Sequence, residues 1–135
     1  MQSAALATWP LRTTSWPGRA LTAFVALFMV FDGVIHVVQP TPVVDAFAQL
    51  GYPIRLSLGI GLLELACTAL YAVPRTAFLG ALLLTAHLGG ATATQLRVEA
   101  AWFPLLFPSL VGALLWGGLA LRDRRVRALL LPGGA

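Results

Sequence analysis

Four apolar stretches of about twenty residues each, at about 19–38, 53–73, 76–95 and 103–121, leave this chain few ways to fold. A hydrocarbon layer of roughly 30 Å is crossed by about 20 helical residues. Lipid offers the backbone no hydrogen-bond partners, so such stretches cross as helices. Composition points the same way: of 135 residues, 59% are hydrophobic and 10% charged, too few polar side chains to coat a soluble domain. The expected fold is all-α, an integral membrane four-helix bundle. Residues 1–18 read as an N-terminal leader with Trp9-Pro10 and Trp16-Pro17 as interfacial anchors, and 122–135 as a basic tail.

The punctuation between the stretches sets their arrangement. Pro40-Thr41-Pro42 ends the first span and starts a short helix at about 42–50, with Thr41 as its cap and Gly51 as its stop. Val43, Val44, Phe47 and Leu50 share one face, which describes a helix lying at the membrane surface, either covering the mouth of the bundle or serving as a connector. Ala46-Phe47-Ala48 resembles a signal-peptide cleavage site, but the preceding apolar run is too long and its acid too deep. Pro74-Arg75-Thr76 allows only a tight helical hairpin, so spans two and three are antiparallel neighbours. Ser57, Gly61, Glu64, Thr68 and Tyr71 form one inward face of span two. Gly80, Leu84, His87, Ala91 and Thr94 form one face of span three, where Gly89 and Gly90 are expected to allow close packing. Pro108 is expected to bend span four, and Tyr71, Trp102 and Trp116 to anchor at the interfaces.

All nine basic residues are arginine, and the net charge is +4. They flank apolar runs instead of forming a stripe, so they indicate topology and not nucleic acid. Arg12, Arg19, Arg75, Arg122, Arg124, Arg125 and Arg127 fall on one side, and Arg55 and Arg97 on the other, which places both termini in the cytoplasm. The single cysteine, Cys67, excludes an internal disulfide and a C-x-x-C redox pair, and reads as a small apolar filler.

Within span one, Phe31-Asp32-Gly33-Val34-Ile35-His36 puts an acid and an imidazole one helical turn apart. An ionisable group at bilayer depth costs roughly 2.5 to 3.5 kcal/mol on insertion scales, so the pair needs a reason. Counting about 1.5 Å per residue from the cytoplasmic ends puts Asp32, Glu64 and His87 in one central layer, at about 20, 14 and 17 Å. His36, Thr92 and Gln95 fall at about 24 to 29 Å, so the polar groups form a column that opens outward. Asp32, Glu64 and His36 are the candidates for proton handling; His87, Thr92, Thr94, Gln95, Arg97 and Tyr71 are candidates for lining a ligand pocket. A buried polar cluster that merely fixes helix packing explains Asp32, His36 and Glu64 equally well. A haem on His36 and His87 is disfavoured by an axial offset of roughly 9 Å. Asp32, His36 and Glu64 suit several first-row metal ions, but nothing in the sequence fixes such a site and none is assigned.

These residues carry a resemblance that runs almost end to end. Phe31-Asp32-Gly33, Leu50-Gly51-Tyr52-Pro53, Glu64-Leu65, Leu70-Tyr71 before Pro74-Arg75-Thr76, Leu88-Gly89-Gly90-Ala91-Thr92-Ala93-Thr94, Arg97, and Trp116 with Leu121-Arg122 resemble the DoxX-like small membrane proteins. The resemblance implies a bacterial plasma-membrane bundle and a link to membrane oxidoreductase assemblies or to oxidative and thiol stress. Two positions depart from the pattern: Gln95 stands where a histidine is expected, and His36 where a lysine is common.

The function expected from these readings is a subunit or small enzyme of membrane redox metabolism that binds a quinone-like or other lipophilic molecule among its helices. Its electrons would need a partner oxidoreductase or a bound cofactor, and its surroundings are the lipid bilayer; an oligomer is compatible with the sequence. The alternatives are a redox-neutral isomerase or cyclase of an apolar substrate, and a non-catalytic scaffold that docks an enzyme through its basic tail. A four-helix multidrug exporter fits poorly, because its acid belongs in span one and Glu64 lies in span two.

Overall fold

A computed structural model describes residues 15–131. The Trp9-Pro10 anchor, Arg12, most of the leader, and residues 132–135 of the tail lie outside the described residues. The described chain forms α1 (Trp16–Val38), α2 (Thr41–Leu50), α3 (Arg55–Ala72), α4 (Ala77–Arg97), α5 (Trp102–Arg122) and α6 (Arg124–Leu130), with no strand among the described residues. Four of these, α1, α3, α4 and α5, are long and apolar enough to cross a membrane.

Local chemistry explains the boundaries. Ser15 caps α1 by accepting from Gly18 N–H, and Pro17 sits in the first turn, so the helix starts ahead of Arg19. It stops where Gln39 turns left-handed at φ 56° and returns its N–H to the Ile35 carbonyl. At α2 the capping position belongs to Pro40, with no side-chain hydrogen bond, and Thr41 is already helical; Thr41 is therefore not the cap that the sequence suggested. Gly51, at φ 71°, closes α2. The basic tail contains a helix that charge alone concealed: Asp123 Oδ1 accepts from Arg125 N–H to start α6, and Val126 is buried against the bundle.

The helices form a four-membered ring. α1 packs against α3 and α5, and α4 packs against the same two, so the hairpin expected at Pro74-Arg75-Thr76 is one edge of the ring. Small residues set the crossings. A Cβ on Gly61 would stand 2.6 Å from the Gly33 carbonyl oxygen and 2.9 Å from His36 Cβ; one on Gly33 would stand 2.8 Å from the Leu65 side chain. Gly80 lies against the Tyr71 backbone, and Gly18 against Leu121 and Arg122. Gly89 and Gly90, by contrast, face open space and are exposed, so they do not mediate the close packing expected of them. The tightest contacts lie at these four other glycines, because packing depends on which face a glycine occupies and not on its density in sequence.

Packing is uneven along the bundle axis. The end bearing the α3–α4 turn holds a tight core of Val25, Met29, Tyr71, Ala77, Ala81, Leu84, Leu115 and Leu119. Tyr71 is fully buried there and donates its hydroxyl to the Leu115 carbonyl at 2.8 Å, with Arg122 on its ring and on its backbone carbonyl. It is a core residue and not an interfacial anchor. At the other end, Ala91, Thr92, Thr94 and Gln95 are only half-buried and the first turn of α5 is largely exposed. Around the outside, Phe24, Leu27, Phe31, Leu58, Leu62, Leu79, Leu82, Leu106 and Leu110 project away from the bundle, an apolar belt suited to lipid and not to water.

This packing makes a contrast testable in one assay. Gly61→Ala is expected to cost about 1 to 3 kcal/mol by overpacking the α1–α3 crossing. Gly89→Ala is expected to be neutral or to stabilise by up to about 1 kcal/mol through helix propensity. Thermal unfolding in lipid nanodiscs reads both, and a Gly61→Ala protein as stable as the parent would contradict the crossing described here.

Candidate functional site

The Gly33–Gly61 crossing brings the backbones of α1 and α3 together at the level of the intramembrane acids. Ser57 secures it: its hydroxyl is fully buried and donates to the His36 carbonyl at 2.7 Å, one of the four carbonyls that the end of α1 leaves without a helical partner. Close approach there puts Asp32 and His36 of α1 against Glu64 of α3. Donor atoms of all three lie within 4.8 Å of one another. From α4, His87 Nε2 comes to 3.6 Å from Glu64 Oε2.

Glu64 is the centre of this group. Its side chain is 0% exposed and neither oxygen meets a fixed N–H or O–H donor, which leaves the Asp32 carboxyl as its hydrogen-bonding neighbour, through a proton held by one of the two. His87 is 16%, His36 20% and Asp32 34% exposed, so the group surrounds a dry centre with part-exposed side chains. His36 Nδ1 lies 2.8 Å from the Asp32 carbonyl oxygen and 3.7 Å from Asp32 Oδ2. A carbonyl only accepts, so Nδ1 carries the hydrogen and Nε2 keeps its lone pair. This bond folds the His36 ring back toward Asp32, which is why His36 joins Glu64 despite the axial offset counted from the sequence.

The other candidates are placed elsewhere. Thr92 donates to the Leu88 carbonyl, and Thr94 to that of Gly90, each within its own helix. Thr92 also lines a groove of about 300 Å³ between α4 and α5, with Thr85, Gly89, Gly112 and Trp116. Gln95 is half-buried toward the open end. Tyr71 belongs to the core at the opposite end. Arg97 donates to the Leu50 carbonyl and lies over the Tyr52 ring at 5.1 Å, tying α4 to the end of α2.

That tie bears on the cluster through a residue that the sequence marked only as apolar. Phe47 is buried under α2, and its ring meets the His36 ring edge-on with centroids 5.8 Å apart. Its signal was the amphipathic face of α2, on which Val43 is also buried while Val44 stays exposed. α2 thus lies over the His36 side of the cluster.

A family model described as the DoxX-like family matches residues 20–118, a stretch that includes all four cluster residues. The chain belongs to the DoxX-like family. This DoxX-like protein is a multi-pass membrane protein with its acids and imidazoles gathered inside the matched region. No curated protein and no solved structure matches it. Family membership fixes the architecture, while the chemistry rests on the site itself.

Removing the Phe47 ring is expected to uncover His36. Phe47→Ala should raise the rate at which diethyl pyrocarbonate modifies His36 several-fold in nanodiscs, with His87 much less affected. Equal His36 rates in the parent and the variant would show that α2 does not cover the cluster.

Proposed function

We propose that this protein is a component of membrane redox metabolism that binds a quinone-like lipophilic molecule at the open end of the bundle, with Asp32, Glu64 and His36 handling its protons. The observation that carries the reading is Glu64: a carboxyl with no exposure and no fixed hydrogen-bond donor, beside a second carboxyl and two imidazoles. Such a group is costly at bilayer depth unless a proton or another charge accompanies it. Fold stability alone gives little reason for it, since an apolar side chain of similar size would fill the same space without a desolvation cost.

The arrangement suits a lipophilic acceptor. Reducing a quinone to a quinol adds two electrons and two protons, one proton at each carbonyl oxygen. The electrons come from a partner oxidoreductase. The protons pass through side chains at membrane depth, for which a carboxyl next to an imidazole is the usual choice. His36 and Asp32 are part-exposed and Glu64 is dry, which gives a path from the mouth to the interior. Phe47 and the half-buried Ala91, Thr92, Thr94 and Gln95 supply apolar and weakly polar walls. The distribution of arginines supports an orientation in the bacterial plasma membrane with both termini cytoplasmic, so that this mouth faces outward.

The test is binding first and protons second. The purified protein should be stabilised by several degrees on addition of a short-chain ubiquinone or menaquinone analogue, and Glu64→Gln should reduce that shift by at least half. An unchanged melting profile with either quinone would overturn the reading. Conversion of an apolar substrate without electron transfer would favour the redox-neutral isomerase. Normal cellular function in an Asp32→Asn, Glu64→Gln double variant would favour the scaffold.

A further inference from the structure

We propose that Asp32, His36, Glu64 and His87 together bind one divalent first-row metal ion of the zinc or iron(II) kind. The proposal does not rest on quinone binding. Both histidines of the chain and two of its five acids come from three different helices to this one place. Donor atoms of Asp32, His36 and Glu64 lie within 4.8 Å of one another, and His87 Nε2 is 3.6 Å from Glu64 Oε2. Ligands held at about 2.0 to 2.2 Å around a tetrahedral ion stand roughly 3.3 to 3.5 Å apart, so Asp32, His36 and Glu64 close on an ion with small side-chain adjustments, and His87, already beside Glu64, is the fourth ligand that a rotation of its ring would bring in.

The second observation is the Glu64 carboxyl, 0% exposed and with neither oxygen accepting from a fixed N–H or O–H donor, whose polar neighbours are the Asp32 carboxyl and the His87 ring of the group itself. A divalent ion supplies what it lacks. Two carboxylates and two neutral imidazoles around a doubly charged ion make a neutral complex, the form of such a group that is least costly to bury. The hydrogen bond from His36 Nδ1 to the Asp32 carbonyl is also the support expected of a metal-bound imidazole, since it fixes the tautomer and leaves Nε2 to ligate. The mixed nitrogen and oxygen set selects zinc, iron(II) or manganese over the softer copper(I). Cys67 is buried one turn from Glu64 on α3 and is not one of these ligands.

Cobalt(II) alone serves as the probe, because its visible bands report ligand number and geometry. The full chain, without a polyhistidine tag, is stripped with chelator and returned to nanodiscs. One cobalt(II) per chain is expected, displaced by zinc(II), with affinity reduced about 100-fold or more in Glu64→Gln and in His36→Gln, and unchanged in Cys67→Ser. Where Glu64→Gln does not fold, His36→Gln carries the comparison, since its ring is part-exposed at the mouth. No cobalt(II) uptake by the parent chain, or an affinity in His36→Gln and Asp32→Asn equal to the parent's, overturns the proposal. Cobalt(II) binding with no response to quinone retains the metal site and overturns the redox reading; the reverse result overturns the metal site.

Discussion

The interior of this bundle is organised around a carboxyl that water does not reach. Glu64 has no exposure and no fixed hydrogen-bond donor, and it sits where α1, α3 and α4 bring their ionisable groups together. The backbone makes that possible. Gly33 and Gly61 allow α1 and α3 to touch, Ser57 ties the end of α1 to α3, and a side chain at either glycine would push Asp32 and His36 away from Glu64. The packed end below, with Tyr71 bonded to the Leu115 carbonyl and Arg122 bonded to Tyr71, holds the helices, while the residues at the other end are only half-buried.

Much of the fold was legible in the sequence, because membrane helices are governed by length and hydropathy. Four runs and the prolines between them are enough to give an all-α bundle, and the inward face of span two reads directly from Ser57, Gly61, Glu64, Thr68 and Tyr71. Terminal details were harder to read, since they depend on single hydrogen bonds. Pro40 takes the position expected of Thr41, and Asp123 starts a helix inside a segment that composition describes only as basic. The glycine pair in α4 misled because a dense run of small residues looks like a packing face, whereas only the ring order of the helices determines which glycines meet a neighbour.

The candidate site was legible in its members more than in its geometry. Asp32, Glu64 and His87 stand out because polar residues are rare in such helices, and the depth count placed them in one layer. Depth counts follow backbone height, however, and side chains of this length reach several ångströms along the axis. His36 therefore looked remote and is in fact within reach of Glu64, held by its bond to the Asp32 carbonyl. Thr92, Thr94 and Tyr71 looked similar by the same count and are engaged elsewhere, because a hydroxyl in a helix readily bonds a carbonyl of the preceding turn and Tyr71 lies at the packed end. Phe47 carried no polar signal at all.

The cluster geometry comes down to one claim: that Glu64 lies dry beside two imidazoles. Solid-state NMR in lipid measures this directly through dipolar couplings between histidine ring ¹⁵N and glutamate ¹³Cδ, with Glu99→Gln removing the only other glutamate. Couplings from both His36 and His87 to Glu64, together with no transfer from water to its carboxyl, are predicted. A Glu64 carboxyl in contact with water, or coupled to neither ring, would contradict the account.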